Sequence, residues 1–157
     1  MNIHQQISFV CRDLAGNIIE SAFQYTQLLP DNLDNDSPCF CAFRLSETYD
    51  RLRNYISMDA HLSNKRSKVW LGEPLGRELL LEAIDVLLCL QQLANKFESP
   101  RPEGTSFGPV YLEAAASLLQ RLRVVQALFI ELSKKHDAKS LELCASNQSG
   151  EPNVKHR

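Results

Sequence analysis

The sequence lacks long hydrophobic runs, and it lacks an excess of charge of one sign. No stretch approaches the ~20 unbroken apolar residues that a membrane-spanning helix needs. The 17 Lys and Arg residues face 19 Asp and Glu, for a net charge of −2. Bulk charge therefore favours neither nucleic acid nor an acidic membrane surface as a partner. Six glycines and seven prolines in 157 residues exclude a collagen-like or low-complexity chain.

Enough apolar surface is present to fold. Hydrophobic residues make up 44% and charged residues 23% of the chain, which excludes a disordered protein. The length suits one compact domain. We predict a single helical domain over residues 1–145 and a polar, disordered tail over 146–157.

The cysteines and the first residues indicate a compartment. Five cysteines, an odd and irregularly spaced set, do not form the pattern of a disulfide framework. The first residues show no basic segment, apolar segment or cleavage site of a secretory leader. We therefore predict a reducing, cytoplasmic location.

Apolar residues recur at helical spacing in four segments, and no hairpin signal accompanies them. The segments cover about residues 3–29, 40–62, 75–97 and 109–136. Pro30 ends the first segment, and Pro74 suits the first turn of the third. The pattern predicts an all-α protein, an antiparallel four-helix bundle, in which residues 141–145 are an optional short fifth helix.

The third and fourth segments have the widest apolar surfaces. The third carries two apolar stripes, which places it at the centre of the bundle. The fourth has one stripe with alternating steps of four and three residues, as in coiled coils and four-helix bundles. Its members are Tyr111, Ala115, Leu118, Leu122, Val125, Phe129 and Leu132. Together these faces exceed what one bundle buries, which indicates a protein partner or self-association.

Motifs of common nucleotide and cofactor sites are missing. The chain has no P-loop and no G-x-G-x-x-G. The Glu-x-x-His pairs of di-iron bundles are absent too. Cys39 and Cys41 form a C-x-C pair and His61 follows, but no second ligand pair completes a zinc site. We predict no cofactor and no metal, and we assign no catalytic residue.

Charge is unevenly distributed along the chain. Residues 1–50 hold two basic and seven acidic residues, whereas residues 51–77 hold six basic and two acidic. Cations beside aromatic rings are typical of nucleic-acid binding, because cations neutralise phosphates and rings stack on bases. The candidate nucleic-acid-binding residues are Arg51, Arg53, Lys65, Arg66, Lys68 and Trp70. Alternatively, these charges complement the acidic first segment, or they are simply solvated.

A ribonuclease is a further alternative. Small helical nucleases of the HEPN type use an Arg and a His a few residues apart on one helix, for phosphate binding and acid–base chemistry. The nearest match here is Arg53 with His61. Their spacing of eight residues places both on roughly one helical face, but it is longer than the spacing of those nucleases.

The sequence thus favours a small cytoplasmic, non-enzymatic interaction or accessory protein that acts as a homo-oligomer or as a subunit of a complex. A helical nucleic-acid-binding accessory subunit is the first alternative, and a HEPN-like ribonuclease is the second. Four-helix bundles serve many unrelated functions, so the fold does not choose among these.

Overall fold

The computed structural model describes residues 2–26, 41–56, 67–98 and 108–155, with only the backbone for 97–98, 108–112 and 147–155. Over these ranges the protein is all-helical. It has five α-helices, one π-helical segment and one 3-10 segment, and no strand occurs in the described ranges. The predicted all-α class is confirmed.

The first helix is continuous but contains an unpredicted π-helical segment. Helix α1 spans Ile3–Asp13, the π segment spans Leu14–Ile19, and α2 spans Glu20–Thr26. Asn2 caps α1 through a capping box with Gln5. The wider π turn lets adjacent pairs of apolar residues face the core, because each of its turns holds an extra residue. The buried residues of this segment are Leu14, Ala15, Ile18 and Ile19.

Helix α3 spans Cys41–Arg53 and ends earlier than the predicted 40–62. Its end tightens through short-range bonds, since Tyr55 N donates to Leu52 O at 3.0 Å and Ile56 N donates to Arg53 O at 3.2 Å. The Tyr55 carbonyl then accepts the indole N–H of Trp70 at 2.9 Å. This tertiary bond holds the chain in its turn beyond α3, and local periodicity does not reveal it.

The third predicted segment is confirmed as a long helix. A 3-10 segment, Ser67–Gly72, leads into α4, which spans Pro74–Glu98. Pro74 occupies the first helical position, where its missing N–H leaves no hydrogen bond unmade. Helix α4 packs against both α3 and α5, as its wide apolar face predicts.

Helix α5 spans Gly108–Lys155 and continues well beyond His136, where the pattern predicts its end. Its predicted stripe is buried at Ala115, Leu122, Val125, Phe129 and Leu132, and Leu118 is partly buried against the core. The side chain of Tyr111 lies outside the described residues. The backbone is helical over 146–155, and the domain boundary at residue 145 stays a prediction.

Hydrogen bonds fix the direction of α1 against α5. Asn2 Nδ2 donates to Ser140 Oγ at 3.1 Å, near the N-terminus of α1. Gln126 Nε2 donates to the carbonyl of Ala15 at 2.8 Å, further along the first helix. Increasing numbers on one helix meet decreasing numbers on the other, so the two helices are antiparallel.

Helices α4 and α5 are antiparallel by the same reasoning. Arg121 on α5 forms an ion pair with Glu82 on α4 at 2.5 Å. His136, further along α5, meets Glu73, which precedes α4. The apolar residues between these helices and the first three form one continuous core.

Within the described ranges, no helix is both long enough and apolar enough to cross a lipid bilayer.

Candidate functional site

A buried polar cluster lies at one end of the molecule, where α1 begins beside α5. His136 is only 1% exposed, and its Nδ1 lies 2.9 Å from Nδ1 of His4. Its other ring nitrogen, Nε2, lies 3.1 Å from Oε2 of the buried Glu73. That second contact is within ion-pair distance but poorly aligned, because Nε2 makes no hydrogen bond of good geometry with any described residue. Three titratable groups therefore meet in one poorly solvated place.

Each member of the cluster is positioned by a helix end or a core stripe. His4 lies in the first turn of α1, which the Asn2 cap begins. His136 occupies the α5 stripe four residues after Leu132, so its ring points inward. Glu73 immediately precedes Pro74, where the N-terminal dipole of α4 favours a carboxylate.

The environment of His136 opposes its protonation. Burial lowers the pKa of His136, because the charged imidazolium loses its hydration. The Glu73 carboxylate acts in the opposite direction and favours the proton. Lys139 and His4 add like-charge repulsion, which lowers the pKa further. The net direction is downward, so His136 is neutral at neutral pH.

The cluster does not resemble a metal centre or a nucleophilic active site. The two nitrogens of His136 face different partners rather than one point between them. Among the described residues, no three His, Cys, Asp or Glu side chains are arranged to hold a metal ion. The nearby Cys11 thiol is fully buried, and burial with the charge of Glu73 raises its pKa to about 12. Such a thiol is protonated and unreactive at neutral pH.

Four exposed apolar side chains lie on the same elements as the members of this cluster, and we name them the apolar rim. They are Ile3 at 45% exposure, Leu71 at 84%, Leu75 at 46% and Leu143 at 42%. Ile3 precedes His4, and Leu71 and Leu75 lie two residues on either side of Glu73. Leu143 lies three residues after Ser140, the partner of Asn2, on the same face of α5.

Three members of the rim extend core stripes beyond the core. Ile3 lies four residues before the buried Ile7, and Leu75 lies four residues before the buried Leu79. Leu143 follows His136 by seven residues, which is two helical turns along the same face. These side chains have the register of core residues, yet they are exposed. Among the residues that the structure describes, the helical core is therefore open at this end.

The predicted nucleic-acid-binding residues that the structure describes do not belong to this cluster. Arg51, Arg53 and Lys68 are exposed. The Tyr55–Trp70 hydrogen bond brings the end of α3 close to the 3-10 segment, so these three cations flank one region. Lys65 and Arg66 lie outside the described residues.

Trp70 requires a correction. Its side chain is 3% exposed, its indole N–H is bonded to Tyr55, and its ring lies 6.4 Å from that of Phe129. The ring is part of the core and is not open to a stacking base. Arg51 also lines a recess of about 300 Å³ that contains the Asp13 side chain, whose charge opposes a phosphate there.

Two other predicted arrangements depend on residues outside the described ranges. His61 and Cys39 both lie there, so the HEPN-like pair and the C-x-C pair stay hypotheses. Helix α3 ends at Arg53, so Arg53 and His61 do not share one continuous helix. Cys41 is fully buried in the core.

Sequence reasoning did not find the polar cluster. His4 and His136 are 132 positions apart, and no local pattern links them. One signal was present, because His136 continues the alternating spacing of the α5 stripe with a polar residue. A polar side chain at such a position needs a buried partner.

No protein-family model, curated protein or solved structure matches this chain.

Proposed function

We propose that this protein is a small cytoplasmic interaction module, an antiparallel four-helix bundle that pairs with a second copy of itself through the open end of its core. The observation that carries the proposal is the apolar rim. Three of its four members have core register, and all four are exposed among the described residues. Exposed apolar patches of this kind usually mark protein-binding surfaces.

The continuation of α5 argues for a second copy as the partner. The helix runs from Ser140 to Lys155, which is about 22 Å at 1.5 Å per residue. Every described side chain from Leu141 to Ser146 is exposed. The rim and this exposed stretch of α5 are adjacent, because Leu143 belongs to both. A partner that covers both therefore needs an apolar patch next to a long helical surface. A second copy, related by a two-fold axis, supplies both reciprocally.

The small area of the rim indicates that a dimer interface also includes the exposed stretch of α5. A stable interface buries about 800 Å² on each partner, which four partly exposed side chains do not reach by themselves. The exposed flank of α5 over residues 141–146 supplies additional area. We therefore expect a dimer in the micromolar range rather than a permanent one, because association also costs translational and rotational freedom.

Light scattering coupled to size-exclusion chromatography tests the proposal. We expect a mass of twice 17.8 kDa that falls toward 17.8 kDa on dilution. The double variant Leu71→Ser, Leu143→Ser should be monomeric at the same concentration. Leu88→Ser is the matched control, because Leu88 is 39% exposed on α4 and is not in the rim. A monomeric wild type, or a double variant that still dimerises, contradicts the proposal.

Nucleic-acid binding is the second candidate function. It is supported by the grouping of the exposed Arg51, Arg53 and Lys68 around the Tyr55–Trp70 bond. Without Trp70 as a stacking platform, affinity would come mainly from phosphate contacts, which salt weakens steeply. Arg53 is partly engaged, because its Nη1 donates to Tyr49 Oη at 3.0 Å.

Absorbance at two wavelengths in the same chromatography separates the two candidates. Bound nucleic acid adds ultraviolet signal that high salt removes. A charge-reversal variant, Arg51→Glu with Lys68→Glu, should then lose that signal. A dimer free of nucleic acid at low salt supports self-association instead.

A further inference from the structure

The contact between His4 and His136 requires a particular number of protons. The two Nδ1 atoms lie 2.9 Å apart, and a hydrogen bond between them needs one proton in total. A neutral imidazole has one donor and one acceptor nitrogen, whereas the imidazolium has two donors. The bond therefore forms when one Nδ1 is protonated and the other is not.

The surroundings determine where that proton resides. Glu73 lies beside Nε2 of His136 and favours a proton on that atom. Neutral His136 then has an unprotonated Nδ1, which accepts a hydrogen bond from Nδ1–H of His4. A further proton can bind Nε2 of His4, which is only half-buried, without breaking this bond.

A proton on Nδ1 of His136 has a different effect. With both histidines charged, two N–H groups face each other at hydrogen-bond distance, and the two positive charges repel. The bond must break, and the first turn of α1 loses a hydrogen bond to α5. The Asn2–Ser140 hydrogen bond joins the N-cap of α1 to α5 separately.

Charged groups on each neighbouring element affect this step. Helix α5 contributes Lys139, which opposes a second positive charge, and Asp137, which is already paired with Arg12 of α1. The turn before α4 contributes Glu73, which favours charge on His136. We therefore expect acid to break the His4–His136 hydrogen bond rather than to leave both rings charged and in contact.

We propose that the His4–His136 pair is a proton-operated switch, which holds the first turn of α1 and its rim residue Ile3 in place at neutral pH and releases them in acid. This inference rests on the proposed function, because the surface that it regulates is the proposed dimer interface. Acidification would then weaken self-association by disordering one side of the rim.

The variant His4→Asn tests the switch. An amide has both a donor and an acceptor, so it satisfies either protonation state of His136 without titrating. Dimerisation should be compared at about pH 7.5 and about pH 5, the second lying well below the ordinary histidine pKa of ~6.5 because the pKa of His136 is lowered. The wild-type Kd should rise about tenfold or more in acid, the equivalent of one pKa unit. His4→Asn should show little change. His61→Asn, the same substitution at a histidine that the switch does not use, should behave as the wild type does.

Amide hydrogen exchange gives a readout that does not need dimerisation. Gln5 N and Gln6 N are bonded to Asn2 Oδ1 and O, at 2.8 and 3.0 Å, in the first turn of α1. After correction for intrinsic exchange, their protection should fall in acid in the wild type and persist in His4→Asn. If that variant does not fold, the imidazole NMR signals of the wild type can be followed against pH instead. The switch predicts that the signals of both rings change over the same pH range in which these two amides lose protection.

The outcomes separate the two proposals. Absence of a dimer at either pH contradicts the proposed function, whereas unchanged protection of Gln5 and Gln6 in acid overturns the switch. If the dimer is equally stable at both pH values although the Gln5 and Gln6 amides lose protection, the switch does not regulate dimerisation. Loss of both protection and dimer in wild type alone supports the inference.

Discussion

Two parts of the α5 stripe differ sharply in chemistry, although only seven residues separate them. Around Phe129 the core is dry, and Phe129, Leu122, Leu80 and Leu87 are fully buried. Around His136 the same stripe meets His4 and Glu73, and Ser140, four residues on, accepts a hydrogen bond from Asn2. Apolar packing is non-directional and stabilises many arrangements, whereas a buried polar group must find its particular partner. The dry part thus provides stability, and the polar end can respond to a change in pH.

Phe129→Ala should produce the largest effect, because it removes a ring from the dry part. Phe129 is 0% exposed and lies against Trp70. We expect a loss of about 3–5 kcal/mol in the free energy of unfolding, measured with urea. Val124→Ala on the 51% exposed Val124 is the control and should change stability by less than about 0.5 kcal/mol. Similar losses for both would contradict the assignment of the dry core.

The sequence predicted the dry part well and the polar end poorly, for one physical reason. Helical periodicity is local, so Phe129 and its stripe were assigned correctly. The π segment and the end of α3 depend on tertiary contacts, and these were missed. Trp70 was misassigned because an aromatic residue near cations has the same sequence pattern whether it is buried or exposed. The His4–His136 contact joins distant positions, so no local pattern predicts it.

Gly76→Ala should produce the next largest effect, because it overfills the space between α4 and the buried Trp70 ring. Trp70 packs against Phe129 of the dry part, and Gly76 lies three residues after Glu73 of the polar end. A Cβ on Gly76 would overlap the Trp70 ring, which is buried and has little room to shift. We expect a loss of about 1–3 kcal/mol in the free energy of unfolding. Gly72→Ala is the matched control, since no atom lies within 4 Å of its added Cβ. Equal stability of the two variants would show that Trp70 is more mobile than its burial indicates.

Acid should destabilise the folded chain through the polar end. The folded-state pKa of His136 is below its ordinary value, so the unfolded chain binds more protons between the two values. Stability is therefore complete above ~6.5 and falls as the pH drops through that value toward the folded pKa, by at most about 1.4 kcal/mol per pH unit. Urea unfolding between about pH 7.5 and about pH 5 measures the slope. His136→Gln, compared over the same range, should reduce the slope; an identical slope would assign the acid sensitivity to other groups.

Gly16→Ala should give the smallest effect and the opposite sign. Gly16 is an exposed residue of the π segment, which leads from the polar end toward the rest of the core, and a Cβ there meets nothing within 4 Å. Alanine is favoured over glycine in a helix by up to about 1 kcal/mol, because glycine loses more backbone entropy on folding. Thermal and urea unfolding should therefore show a gain of up to that amount. A loss instead would mean that the π turn needs the freedom of glycine, and that the register linking the dry part to His4 depends on this one residue.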